Sequence, residues 1–482
     1  MTWEAVIGIE VHVELMTASK MFCGCEVAHG GEPNTRVCPT CLGLPGALPV
    51  TNRAAIESIM AIGLALGCQV SPRSVFHRKN YFYADLPKNY QISQFDVPVC
   101  HDGHLDIEVD GAIRRVGIER AHMEEDTGKS IHVGLGGRIH SAERTLLDFN
   151  RSGVPLVEVV SRPDLRSAAE SRVYAQELRS VVAELGVSDV RLEEGSIRFD
   201  ANVSIRPEGS DALGTKVEIK NMNSFRSLER AVAHEVERQT ALLESGGSVV
   251  QETRHWDEES GVTHSMRVKE GSSDYRYFTE PDLVPLVMSP EWVAGVGARL
   301  PEMPAERRAR YVSQGLAPST AGVLSGLDPS LRVVYDDAVL SGASPQAAAN
   351  WLTGEVVAWL RRSGADAAGT GLDGESLAEL IQMVDDGSVS SSAAKELLDG
   401  VMSGEGGPRG VAERRDLLQV SDAGALDEVI DSVLAENPGA VGEFRSGEEK
   451  VVGFLVGQVM KATGGKADPR LVNQLLREKM TG

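Results

Sequence analysis

Aromatic residues are scarce in this chain, 5% of 482 positions, and no apolar run approaches the roughly 20 residues needed to cross a bilayer. The longest such stretch, residues 451–459, is broken by Gly453, Gly457 and Gln458, so no membrane association is expected. Cysteine is scarce as well: six in a chain of this length are too few for a disulfide scaffold. Positive charge is in deficit, with 48 Lys and Arg against 70 Asp and Glu for a net charge of −22. That balance argues against a protein that coats nucleic acid over its whole surface and leaves room only for a local basic patch. Strand-like alternation begins at Trp3 with no room ahead of it for a signal or transit peptide, which points to the cytoplasm. Internal repeats, long low-complexity runs and a nucleophilic Ser, Cys or Ser-Lys constellation are all missing.

What is present is an ordinary globular balance, 42% apolar and 24% charged, in a length that predicts about three domains. Residues 1–292 alternate as β-structure, interrupted by helices expected at 168–185 and 224–243, the second with Leu228, Ala231, Val232 and Val236 on one face. The fold class is α+β with a mostly antiparallel sheet. Pro281, Pro285, Pro290, Pro301 and Pro304 then mark a boundary near 292, and residues 293–405 read as helices and short turns. A flexible linker is expected at Ser403–Pro408, followed by a helical tail, 410–482. From Lys450 onward the tail has six basic and two acidic residues, a local excess of positive charge.

Three polar strand faces stand out. In the segment from Ile7 to Leu15 the odd positions are apolar, while Glu10, His12 and Glu14 share the opposite face. Carboxylates and an imidazole at that spacing either hold a cation or form a solvated outer face. Asp200 and Asn202 repeat the pattern between Ile197 and Ile205, and Glu218 and Lys220 repeat it again. Glu124, Glu125 and Asp126 precede Gly128-Lys129-Ser130, but Met123 stands where a Walker phosphate loop needs glycine, so the three acids are read as a Mg²⁺ site. Cys23, Cys25, Cys38 and Cys41 form two close pairs, the donor set of a closed, structural Zn²⁺ knuckle.

Taken together, these motifs, with Arg78–Lys88, Leu147–Glu158 and Glu218–Ser224, resemble the B subunits of the aspartyl/glutamyl-tRNA amidotransferases, the GatB family. The resemblance implies a cradle-shaped catalytic domain, a helical domain and a YqeY-like tail. It also implies a reaction in which ATP phosphorylates the side-chain carboxylate of Glu-tRNA(Gln) or Asp-tRNA(Asn), and ammonia from a separate amidase, the A subunit, displaces the phosphate. A small C subunit completes the implied complex. By the resemblance Glu10, His12 and Glu125 hold Mg²⁺, and Glu124, Asp200 and Asn202 hold a second cation or orient ATP and ammonia. The resemblance also implies phosphate contacts for Lys79 and Lys220, with a surface or structural lysine the alternative for each. The related E subunits of the archaeal glutamyl-tRNA amidotransferases carry an extra domain for which 482 residues leave no room. Two competing classes are a tRNA-binding scaffold without catalysis and a zinc hydrolase built on Glu10, His12 and Glu14.

Overall fold

The computed structural model describes residues 2–133, 142–268, 275–419, 423–464 and 467–481. The chain divides into two compact units after Met303.

The first unit is built on one nine-stranded sheet. Its strands are β1 (Trp3–Glu14), β2 (Gln69–Val70), β3 (Cys100–Val109), β4 (Ala112–Glu125), β5 (Pro155–Ser161), β6 (Ile197–Pro207), β7 (Val217–Met222), β8 (Glu252–Asp257) and β9 (Val262–Val268). Their spatial order is β9-β8-β7-β6-β1-β5-β4-β3-β2, and every pair is antiparallel except β7 with β8. The amino-terminal strand therefore lies in the middle, with β5 and β6 on its two sides. A short sheet of His77–Asn80, Tyr90–Ser93 and Phe278–Thr279 packs beside the end of β4.

Alternation decides which face is covered. Ile7, Ile9, Val11 and Val13 are buried in one apolar cluster with Tyr174, Leu178, Leu228, Ala231 and Val232, which come from the helices α2 (Ala168–Glu184) and α3 (Phe225–Glu244). A third helix, α1 (Arg53–Ala65), adds Ile56, Ile59 and Ile62 to that cluster. Each such Val, Leu or Ile side chain, fully removed from water, contributes about 1.5–3 kcal/mol. The start of α2 follows from Ser167 and Glu170: the Ser167 hydroxyl accepts from the Glu170 amide (3.1 Å), and the Glu170 carboxylate accepts from the Arg166 amide (2.6 Å). Ser224 caps α3 in the same way through the Ser227 amide. On α3 the expected apolar face includes a charged member, since Glu235 is wholly buried and held by Arg238 and Gln239.

The unit ends later than the proline cluster suggested. The helix Pro290–Gly297 puts Val296 into the same core, and Trp292 donates its indole N–H to Glu57 on α1 (2.9 Å), so the division falls past residue 292.

The second unit is helical, and prolines open many of its helices, where a missing N–H costs nothing. It contains two apolar clusters, one including Tyr311, Tyr335, Leu352, Leu397 and Val411, the other including Leu426, Ile430, Leu455 and Leu476. The linker expected at Ser403–Pro408 is instead an ordered turn. Helix Pro408–Arg414 returns Val411 and Ala412 to the first cluster, while Arg415 holds the turn by its bonds to Glu405 and the Glu396 carbonyl.

Replacing Leu228 by Ala leaves a cavity between α3 and the sheet and is expected to destabilise the first unit by about 2–5 kcal/mol in urea unfolding. Ile113→Ala, on an exposed strand edge, is expected to change stability by no more than about 0.5 kcal/mol.

Candidate active site on the open sheet face

The face of β1 opposite the helices carries Glu10, His12 and Glu14, and register places their companions. His12 lies opposite Glu158 on β5 and Arg198 on β6, Glu10 opposite Asp200, and Gly8 opposite Asn202. Glu158 in turn lies opposite His122 on β4, and Asn202 opposite Glu218 on β7. Directly opposed residues in antiparallel strands project to the same side, so five strands deliver one polar floor.

Two groups of potential ligands form on it. In each, the atoms able to bind a metal lie within 4.8 Å of one another: His12, Glu124 and Glu158 in one, Glu10, Asp200 and Glu218 in the other. His12 Nε2 is 3.6 Å from Glu158, and His122 Nε2 lies 3.3 Å from Glu158 and 3.5 Å from Glu124. Lys79, reaching in from the short sheet, sets its Nζ 3.5 Å from Glu124. In the second group Asn202 donates to Glu10 (2.9 Å), while Lys220 bridges Asp200 and Glu218.

The electrostatics of the two groups differ. Burial alone would raise Glu158 and Glu124. The imidazoles of His122 and His12 instead bring Glu158 down to about 2, and Lys79, His122 and His12 hold Glu124 well below the usual carboxylate range. His122 is correspondingly raised to about 9, because Glu158 and Glu124 outweigh its burial. Glu10 moves the other way: burial raises its pKa, and repulsion from Glu158 and Asp200 raises it further. Glu124 and Glu158 are thus held ionised, whereas Glu10 is pushed toward its neutral form and gains from an added cation.

The expected trio of Glu10, His12 and Glu125 is not brought together. Glu125 follows Ala121 and Met123 in the parity of β4 that faces away from the floor, and Glu124 takes the place beside His12. Glu125 is buried on the other side, ion-paired with Lys88 and accepting from the Ile92 amide (2.8 Å), at a cavity of about 190 Å³ shared with Cys23, Cys41 and Gly153. Glu158 was not among the expected site residues although it closes the motif that begins at Leu147, and it joins the first group. The alternation of Pro155–Ser161 singles it out, but its pairing with His12 depends on a register that spacing does not give. Glu14 belongs to neither group. Burial and the neighbouring Asp126 push it up to about 8, while Asp126, paired with Arg198 (2.9 Å), falls to about 2.

The four cysteines do converge. Ligand sulfurs of Cys23, Cys25, Cys38 and Cys41 lie within 4.8 Å of one another, and the Cys38 amide donates to Cys41 Sγ at 3.1 Å. Cys41 is held at about 5, chiefly because the Cys23 thiol donates to it, whereas burial pushes Cys25 up to about 11. Four sulfurs at one point fit a tetrahedral Zn²⁺ with no open position.

Comparison with known proteins agrees with this architecture. Residues 5–294 match the GatB/GatE catalytic domain and residues 334–480 a GatB domain. Proteins named as the B subunit of aspartyl/glutamyl-tRNA(Asn/Gln) amidotransferase are similar over full length: that of Moorella thermoacetica is 51% identical and that of Geobacter sulfurreducens 49%, each with 100% of both chains covered. The Thermosynechococcus vestitus protein of the same name is 49% identical over 100% of this chain and 97% of its own. With half of its residues shared from end to end and all but the first two residues of the sheet inside the catalytic-domain match, the chain belongs to the GatB family, the B subunits of the aspartyl/glutamyl-tRNA(Asn/Gln) amidotransferases.

Proposed function

We propose that this chain activates and amidates the side-chain carboxylate of mischarged Glu-tRNA(Gln), Asp-tRNA(Asn) or both, within a cytoplasmic complex that includes an amidase, the A subunit, and a small C subunit. The observation that carries the reading is the gathering of His12, Glu124 and Glu158 beside Glu10, Asp200 and Glu218 on the sheet face opposite the helices. A carboxylate resists attack by ammonia until one oxygen becomes a good leaving group. The substrate carboxylate oxygen attacks the γ-phosphorus of ATP, the bond to the ADP oxygen breaks, and ADP departs. Ammonia, released from glutamine by the partner amidase, then attacks the acyl carbon. The carbon–oxygen bond to phosphate breaks, a proton is lost to solvent, and the amide and inorganic phosphate remain.

Mg²⁺ bound here would neutralise charge gathering on the phosphate oxygens. His12, Glu124 and Glu158 supply a nitrogen and carboxylate oxygens for it, and Glu10 with Asp200 suits a second cation. Asn202 fixes the orientation of Glu10. Lys79 and Lys220, already beside these carboxylates, are proposed to contact phosphate oxygens. Glu125, in its ion pair with Lys88 on the opposite face of β4, is not assigned to the metal. The four cysteines hold a structural Zn²⁺ that clamps the loop from Lys20 to Leu42.

The carboxy-terminal helices are proposed to meet the tRNA body. Part of their charge is used internally, since Lys479 pairs with Asp427 and Asp431 and Arg477 with Glu449. Lys450, Lys461 and Arg470 have no ion pair among the described residues, and Lys466 lies outside them.

With the carboxylate of the mischarged amino acid labelled by ¹⁸O, one labelled oxygen is expected in the inorganic phosphate released in the reconstituted complex. Unlabelled phosphate would rule out the acyl phosphate, and an unlabelled result with no ATP turnover would favour the scaffold reading. Glu158→Gln keeps size and removes charge. It is expected to lower amidation by about 10²–10³-fold, the scale of losing one charge-stabilising group, while glutamine hydrolysis by the partner survives. Undiminished amidation would remove Glu158 from the cation group.

A further inference from the structure

Lys20 is one of the largest fully buried side chains in the protein, 1% exposed, yet it has no carboxylate partner among the described residues. The other lysines drawn into the first unit do have one: Lys79 pairs with Glu124, Lys88 with Glu125, and Lys220 with Asp200. A buried ammonium with no counter-charge is strongly disfavoured. The Nζ of Lys20 donates to the carbonyls of Arg36 (2.8 Å) and Phe149 (3.3 Å), both neutral, and to Cys41 Sγ at 3.8 Å. Three donors are thereby used, and only the sulfur can balance the charge.

Two chain segments meet at this nitrogen. Lys20 is tied to the knuckle through its own amide, which donates to the Cys25 carbonyl (2.9 Å), and through Arg36, two residues before Cys38. Phe149 opens the turn that leads into β5. That turn is locked to the knuckle again where Met21 N–H donates to the Gly153 carbonyl (2.8 Å) and the Ser152 hydroxyl donates to the Cys41 carbonyl (3.4 Å). Gly153 has φ of +86° and lies so close that an added Cβ would sit 3.5 Å from Cys41 Cβ and 3.6 Å from Lys20 Cδ. From the turn, the Gly153 amide donates to the Asp126 carbonyl (2.9 Å) and the Asp126 amide to the Val154 carbonyl (2.8 Å), just before β5 carries Glu158 to the floor.

We propose that Lys20 is a positioning residue: its ammonium is the built-in counter-charge of the four-cysteine site and the peg that fixes that site to the turn beginning β5. Four thiolates around Zn²⁺ leave two net negative charges, and Lys20 offsets one of them inside the protein. The knuckle is then more than a staple for its own loop, because its charge holds in place the strand that presents Glu158. This role for Lys20 rests on the reading of the four cysteines as a zinc site.

The test is zinc release from the full-length chain to a colorimetric chelator. Lys20→Met, which keeps the length of the side chain, is expected to lose zinc about 10–100-fold faster than wild type, the scale of removing a group that supports a metal ligand. Lys20→Arg, which restores the charge, is expected to recover part of that loss. Equal release rates in wild type and Lys20→Met would overturn the proposal while leaving the zinc reading intact, whereas wild-type protein purified without zinc would overturn the zinc reading itself. If Lys20→Met does not fold, amine labelling of the wild-type chain decides the question. Lys20 is expected to be protected in zinc-loaded protein and labelled once zinc is extracted, with exposed Lys129 labelled in both. Continued protection of Lys20 in zinc-free folded protein would also overturn the proposal.

Discussion

Carboxylates crowded onto one face of a sheet repel one another, and the first unit is organised around meeting that cost. Glu10, Glu124, Glu158, Asp200 and Glu218 lie close together on strands β1, β4, β5, β6 and β7. Without positive charge between them they would take up protons or spread apart. The protein supplies part of the compensation itself through His12, His122, Lys79 and Lys220. The balance is uneven: Glu158 and Glu124 are held ionised, while Glu10 is pushed toward its neutral form. The floor is least compensated near Glu10 and Asp200, whereas a cation at His12, Glu124 and Glu158 takes over charge balance that His122 and Lys79 already supply in part.

Such crowding is tolerable because the other side of the same strands is so well covered. Every odd position of β1 from Ile7 to Val13 is buried against the helices, which fixes the strand's face and forbids a one-residue slip. Register then becomes chemistry. A slip would turn His12 into the core and expose Val11 or Val13 on the floor. The antiparallel pairing of β1 with both β5 and β6 also explains how residues far apart in the chain, His12 and Glu158 among them, come to share a point in space.

Much of this was legible in the chain. The alternation around Glu10 and His12 revealed a strand with one polar face, the cysteine spacing brought out the knuckle, and apolar periodicity marked the helices near 168–185 and 224–243. The resemblance carried by whole motifs gave the family. Strand register was not legible, so Glu158 went unassigned. Glu125 was expected beside Glu10 and His12, but the apolar residues at 121 and 123 set its parity to the opposite face: three adjacent acids look like one ligand cluster, yet alternation sends neighbours to opposite faces. Glu235 shows the opposite limit: a charge on the buried face of α3 is stable only with Arg238 and Gln239 one turn on, a network that hydrophobic patterning does not register. At Ser403–Pro408, glycine and serine content suggested flexibility, but Val411 and Ala412 pull the chain back onto the helical core.

The central claim is that His12 shares a cation with Glu124 and Glu158, and Mn²⁺ used in place of Mg²⁺ reports on it directly. Electron spin-echo modulation of bound Mn²⁺ is expected to show coupling to an imidazole nitrogen in the wild-type chain, and to lose it in His12→Ala. Bound Mn²⁺ with no nitrogen coupling in the wild type, or the same coupling after His12→Ala, would contradict the account.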